Sequence, residues 1–216
     1  MEKIVVTGHT GFIGKKLVIE LENRGFKVIK MNYDYFRVNC DRVYHLACPS
    51  TTQKINENPT QIMDIIFDMT RQAMKICPSA LFVNASTYGV NYIDDSKQSC
   101  YNIAKLSMEY YLKYSEINYL NYRIPSVYGE GMHDDNFIKR CIDNTAYMPK
   151  NPDQEYFIAH VDDVVESLIN LQPIKIEETT LGNIYEQFNS GRRGLYRTTF
   201  NSQVIEVSPT ESNYNW

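Results

Sequence analysis

Apolar residues in the first third of the chain follow two rhythms. Residues 4–7 (IVVT) form a short, mostly apolar run that halts at Gly8, as expected of a parallel strand buried on both faces. From Ile13 the apolar positions shift to helical spacing, with Leu17, Val18 and Leu21 on one face, and Gly25 ends that helix. Residues 26–31 read as a second strand, and residues 43–47 and 80–85 as further buried strands. Helices are expected over residues 59–76 and 99–114, and another strand over 120–124. Strands alternating with helices predict an α/β fold, a Rossmann-type doubly wound parallel sheet covered on both faces. Two places look abbreviated. About a dozen residues separate the second strand from Val43, too few for a full helix-and-strand crossover. Residues 192–216 are polar and irregular, and a loose or docked tail is expected there.

Composition narrows the class without naming a reaction. The chain has 216 residues, a formal net charge of −4 and an apolar fraction of 43%, which suits one domain with a real core. That charge gives no argument for nucleic acid or for an anionic membrane, and neither is expected as a partner. No apolar run reaches the roughly 20 residues of a membrane span. The first residues already read as a strand, so no signal peptide is expected. The cysteines (Cys40, Cys48, Cys77, Cys100, Cys141) are scattered and odd in number, with no C-x-x-C pair. They point to a reducing, cytoplasmic compartment rather than to a disulfide framework or a metal site.

The strongest local signal is TGHTGFIG, residues 7–14, lying between a strand and a helix. Gly8 allows a tight turn, Gly11 lets the backbone approach a pyrophosphate, and Gly14 lets helix and sheet pack closely. Thr10, Phe12 and Ile13 complete the turn and the helix start, whose free N–H groups and positive dipole end would face the phosphates. At the end of the second strand, where an acidic residue usually binds the adenosine ribose, stands Asn32, with Asp34 slightly beyond. Asn32 can bond a ribose hydroxyl without repelling a 2′-phosphate, and Lys30 and Arg37 are near in sequence. NAD and NADP both remain open.

Tyr101 and Lys105 form Y-x-x-x-K on the expected long helix, so both side chains project from one face. An ammonium near a phenol stabilises phenolate and lowers the tyrosine pKa, making Tyr101 a usable acid–base. With 17 tyrosines in the chain the pair alone says little. Its order after a glycine turn and a strand ending in Ser86 and Thr87 says more. Ligands bind at the carboxyl ends of parallel strands, where a Ser86 or Thr87 hydroxyl could hold a substrate oxygen. Both residues could equally serve as turn or cap residues, Ser86 more readily than Thr87.

These motifs, in this order, resemble the extended short-chain dehydrogenase/reductase family, the NAD-dependent sugar-nucleotide epimerases and dehydratases. TGHTGFIG is similar to its cofactor turn, VYHLACPS (43–50) to the strand beside the cofactor, and NASTYG (84–89) to the catalytic Ser/Thr strand. YNIAK (101–105) resembles the catalytic helix and YRIPSVYGEG (122–131) the segment flanking the nicotinamide. HVDDV (160–164) and NIYEQFNSG (183–191) are similar to two later landmarks. The resemblance implies that Leu46, Ala47, Ile124 and Ser126 line the cofactor. It also implies that Thr87 bonds a sugar hydroxyl, Tyr101 is its base and Lys105 anchors the nicotinamide ribose. It further implies one domain over residues 1–191, with substrate-binding segments mainly in 125–191, and a homodimer. The expected helix carries Met108, Tyr110, Tyr111, Leu112 and Tyr114, more apolar surface than one buried face requires.

Departures from the family pattern restrict the reaction. Tyr88 and Gly89 follow Thr87 where dehydratases carry Asp-Glu, and no glutamate stands nearby as in the decarboxylases. Ser126 replaces a frequent asparagine and Tyr156 a frequent arginine, the Thr87–Tyr101 spacing is short, and so is the C-terminal region. His133 follows the YGEG segment, where epimerase–reductases place an acid; it is a candidate substrate contact or a solvated loop residue. The resulting expectation is a sugar-nucleotide epimerase or related hydride-transfer enzyme using NAD or NADP. The alternatives are an NADP-dependent epimerase–reductase, a decarboxylase-like enzyme, or a non-catalytic dinucleotide-binding protein.

Overall fold

The computed structural model describes residues 1–32, 34–49, 55, 57–94, 98–189 and 203–211. Its contacts divide the chain into two units, Met1–Ile124 with Pro209–Trp216, and Pro125–Ser208. The second unit begins where the expected substrate-binding segments of 125–191 begin, and the expected tail of 192–216 is shared between the two units.

The first unit holds a six-stranded sheet. Its strands are β1 (Lys3–Thr7), β2 (Lys27–Met31), β3 (Arg42–His45), β4 (Leu81–Thr87), β5 (Tyr119–Ile124) and β10 (Thr210–Glu211), in the order β10-β5-β4-β3-β1-β2. β1 to β5 are mutually parallel, and β10 pairs antiparallel with β5 through Thr210↔Asn121 and Glu211↔Leu120. Continuous burial of Ile4, Val5, Val6 and Thr7 explains the unbroken run in β1, since helices cover both faces of a parallel sheet. Helix α1 (Phe12–Asn23) turns Gly14, Leu17, Val18 and Leu21 inward. Helix α2 (Pro59–Ala73) starts on a proline, which loses no helical hydrogen bond there, and buries Ile62, Ile66, Thr70 and Ala73. Helix α3 (Gln98–Lys113) packs on α2 through Ala104 and Met108 against Ile62 and Ile66.

The short stretch between β2 and β3 crosses over β1 without a regular element, and β2 is the last strand on that side among the described residues. Tyr35 and Val38 from this stretch pack with Ile29 onto the core cluster of Met31, Cys40, Val43 and Phe82. β3 stops at His45, short of the expected Ala47, because Leu46 and Ala47 turn to lie against the glycine turn.

The second unit has the sheet β6-β7-β8-β9, from β6 (Ser126–Tyr128), β7 (Glu155–His160), β8 (Ile174–Thr180) and β9 (Gln203–Val207). Only β6 and β7 run parallel. Its helices are α4 (Phe137–Ile142), α5 (Val161–Asn170) and α6 (Leu181–Asn189). Tyr128, fully buried, meets His160 edge-on at 5.1 Å and Phe188 at 5.9 Å. The three later sequence landmarks therefore join as packing. Residues 203–211 of the expected tail form β9 and β10; residues 192–202 and 212–216 lie outside the described residues, as do Ser50 and the last two residues of the 183–191 landmark.

Candidate active site

The glycine turn is built by close backbone approach. Gly8 adopts φ +71°, and a Cβ there would come 2.5 Å from the Ala47 nitrogen and 2.6 Å from the Leu46 carbonyl carbon. A Cβ on Gly14 would meet the Gly8 oxygen at 2.1 Å. The Gly11 nitrogen donates to the Gly8 oxygen at 3.0 Å, closing the turn. Gly11 is exposed and is the N-cap of α1, with no side chain to cap the first N–H groups. A Cβ on it would meet the Gly8 oxygen at 3.3 Å, a tight contact that needs a shift of a few tenths of an ångström, and a close-lying phosphate would leave it no room. Exposed Thr10 and half-buried Phe12 and Ile13 surround this helix start. The cradle fits a dinucleotide pyrophosphate.

Thr7, which ends β1, ties the turn to β3. Its Oγ1 is 2.9 Å from His45 Nδ1 and accepts from the Ala47 nitrogen at 3.4 Å, and His45 Nε2 reaches Thr70 Oγ1 at 3.2 Å. His45 also stacks on Phe82 at 5.7 Å. Burial first, and Lys105 second, depress its pKa to about 3, so the ring is neutral. The sequence reading missed His45; its signal was a lone titratable residue within an apolar strand. Asn32 is exposed just beyond β2, with no fixed negative charge, and Lys30 faces Glu22 at 2.9 Å.

Tyr101 and Lys105 do share one face of α3. Tyr101 packs with Cys48 against Ile62, Ile66 and Met108. Lys105 is buried, donates from Nζ to the Ala85 carbonyl at 2.7 Å, and lies 5.9 Å from the centre of the Tyr101 ring. One electrostatic expectation is corrected. Tyr101 is not acidified by Lys105: burial, and then the Cys48 thiol within hydrogen-bonding reach, raise its pKa well above the ordinary tyrosine value. The phenol is therefore protonated at neutral pH.

Thr87, half-buried at the carboxyl end of β4, accepts from the Gly89 nitrogen at 3.2 Å and starts a 3-10 turn over Tyr88–Asn91. Ser86 departs from its expected substrate role. Its hydroxyl is buried and donates to Glu109 Oε1 at 2.5 Å. Ile124 is buried at the end of β5. In the second unit, Ser126 donates to the Tyr156 hydroxyl at 3.0 Å, while the His133 side chain is 77% exposed and 3.7 Å from Asp135. That exposure fits the solvated-loop alternative. No cluster of three metal-binding side chains occurs among the described residues, and no helix of theirs is long and apolar enough to cross a membrane.

A parallel sheet with a glycine cradle at its carboxyl edge, beside a tyrosine–lysine face, defines a Rossmann-type dinucleotide-dependent class. Residues 32–172 match the profile of the NAD dependent epimerase/dehydratase family, and the chain belongs to that family. At that level it is an NAD(P)-dependent enzyme of the hydride-transfer chemistry of sugar nucleotides. No curated protein matches. Among solved structures, the fold is similar to that of TunA, an NAD dependent NDP-hexosamine 5,6-dehydratase involved in tunicamycin biosynthesis. That match has a TM-score of 0.73 at 19% identity over 89% of this chain and 82% of the other. Epimerase Mth375 from Methanothermobacter thermautotrophicus matches with a TM-score of 0.72 at 18% identity, covering 88% and 76% of the two chains. The UDP-glucose 4-epimerase of Thermus thermophilus, solved with NAD, matches with a TM-score of 0.69 at 17% identity, covering 87% and 82%.

The depressed His45 pKa has a consequence for stability. The unfolded chain takes up a proton near pH 6.5 that the folded chain refuses until about pH 3. Stability is therefore complete above pH 6.5 and is lost as pH falls from there, by up to about 1.4 kcal/mol per pH unit. Urea unfolding of wild type and His45→Gln between pH 7.5 and 5 should show a shallower pH slope in the variant. Equal slopes would show that His45 is not the group refusing the proton.

Proposed function

We propose that the chain is a sugar-nucleotide epimerase, or a closely related hydride-transfer enzyme, in which Thr87, Tyr101 and Lys105 handle the sugar hydroxyl. The observation that carries this reading is the placement of Lys105. Buried on the Tyr101 face of α3, it is pinned to Ala85, two residues before Thr87, in the unit that also holds the glycine cradle. The intact Tyr101–Lys105 pair, so placed, argues against a non-catalytic dinucleotide-binding protein.

NAD, when bound, supplies the hydride acceptor and donor. Gly8, Gly11 and Gly14, with the α1 start at Thr10, Phe12 and Ile13, would hold its pyrophosphate. Asn32 would meet the adenosine ribose, and Leu46, Ala47 and Ile124 would line the rest. Lys105 has three donors, of which the Ala85 bond uses one, so it can hold Ala85 and a ribose hydroxyl together. Thr87 would orient the sugar oxygen, and the Tyr101 hydroxyl would exchange the proton with it. The protonated phenol is the form required to return a proton to a sugar ketone. An Asp-Glu pair does not follow Thr87, which favours epimerisation over elimination. Unbridged cysteines fit the cytoplasm.

Gly11→Val should still fold, with a small loss of stability from the tight Gly8 contact, and lose dinucleotide binding, whereas Gly14→Ala, colliding with the Gly8 carbonyl, should be destabilised far more. Calorimetry with NAD and NADP beside a thermal melt separates the two; undiminished dinucleotide affinity in Gly11→Val would remove the turn from the cofactor site.

A panel of uridine-, guanosine-, cytidine- and thymidine-linked sugars, with products separated by chromatography, tests the reaction. Tyr101→Phe should lower turnover by about 10²–10⁴-fold with NAD binding retained. Full activity in that variant would end the proton-transfer role.

A symmetric dimer is proposed through α3 and the residue after it, where Tyr110, Tyr111 and Tyr114 are 53%, 48% and 79% exposed while Met108 and Leu112 are used inside the unit. Light scattering at micromolar concentration should give twice the chain mass, and Tyr111→Glu should halve it. A monomeric wild type would contradict the proposal.

A further inference from the structure

We propose that Glu109, together with Arg123 and Ser86, is a positioning element that sets Thr87 at its working distance from Tyr101 and Lys105. The inference rests on the acid–base reading above and extends it to residues outside the reacting set. Glu109 is 6% exposed, an expensive place for a carboxylate unless it is fully paired. Its oxygens accept from Ser86 Oγ at 2.5 Å, from Arg123 Nε at 3.1 and 3.2 Å, and from the second Arg123 amino group at 2.8 Å. Arg123 is in turn held more firmly charged, first by its hydrogen bond to Glu109.

These three residues come from three different elements, and each connection ends beside the site. Ser86 and Arg123 are register partners across β4 and β5. The remaining arginine amino group donates to Asn91 at 3.1 Å, the last residue of the 3-10 turn that begins at Thr87. Tyr101, Lys105 and Glu109 recur at intervals of four along α3, so they lie on neighbouring turns of one side. Lys105 binds the carbonyl of residue 85 and Glu109 the hydroxyl of residue 86, two consecutive positions of β4. Thr87 is the next. Apolar packing alone would hold α3 on the sheet about as strongly but would let it settle in several registers. A buried carboxylate with directed partners admits one, because sliding the helix leaves the charge unpaired.

The test compares Glu109→Gln, Arg123→Lys and Ser86→Ala in the full chain, on whichever sugar nucleotide turns over. Glu109→Gln keeps the shape and removes the charge. Its kcat should fall about 10- to 100-fold, as a small misplacement of reacting groups does. KM and the NAD dissociation constant should stay within about threefold. Arg123→Lys, which loses the forked contact, should fall in between, and Ser86→Ala should lose least. A purely structural role would lower the melting temperature and leave kcat per folded molecule intact; kcat unchanged in folded Glu109→Gln, whatever KM does, overturns the proposal. A second readout needs no turnover. In protein labelled with ¹⁵N-lysine, the Lys105 ammonium signal, identified by its loss in Lys105→Met, should shift in Glu109→Gln as its bond to Ala85 loosens. If no sugar nucleotide reacts, the acid–base reading fails by itself, and an unmoved Lys105 signal then overturns the positioning role. Should Glu109→Gln not fold, Arg123→Lys and Ser86→Ala carry the same two measurements.

Discussion

Everything in the first unit is referenced to one close contact, the Gly8 carbonyl against the α-carbon of Gly14. Because a Cβ there would stand 2.1 Å from that oxygen, the start of α1 sits as near the end of β1 as backbones allow. The same Gly8, in its left-handed conformation, abuts Leu46 and Ala47 as they leave β3. Two strand ends and a helix end thus converge within a few ångströms. Thr7 and His45, bonded beneath the contact, keep the two strands in step. A dinucleotide cradle follows from this geometry with few side chains taking part.

The other half of the site is held by a different kind of force. β4 and α3 meet through directed polar bonds, Lys105 to Ala85 and Glu109 to Ser86, and the hydrophobic contact between α2 and α3, through Ala104 and Met108, runs along the adjoining stripe of the same turns. Backbone crowding fixes the cofactor side and buried charge fixes the side of the tyrosine and threonine. In the second unit the aromatic group of Tyr128, His160 and Phe188 forms a core, with Gly129 leaving room for Val161.

Much of the fold was legible because buried parallel strands read as continuous apolar runs and α1 and α2 carry clean stripes. The glycine turn was legible because its glycines answer local geometric demands. Element ends were less so: α2 stops at Ala73, where backbone bonds tighten through Lys75 and Ile76, and nothing in the apolar pattern marks that change. Ser86 was misjudged and Glu109 and Arg123 were overlooked for a single reason. Their bond joins residues on separate elements, and local periodicity carries no information about which polar groups meet across a fold. Cys48 beside Tyr101 is the same case; burial first and this thiol second raise the phenol's pKa where a lowering was expected. β9 was missed although QVIEV is rich in β-branched residues, because the polar residues on either side of it dominate the stretch from 192 to 216.

The short β2–β3 connection has a cost that lies outside catalysis. Among the described residues no strand pairs with the outer side of β2, the side a further extended chain would meet, while β10 covers the opposite edge of the sheet. Exposed Lys27 and Lys30 occupy that border, and an extended segment pairing there would have to bring its backbone past the Lys27 ammonium and the Lys30–Glu22 ion pair. Charge of this sort is a recognised guard against sheet-to-sheet aggregation. The lysine that invites a reading as a phosphate ligand is, by its position, also a gatekeeper of solubility, and a chain shortened at this point depends on it more than a longer one would.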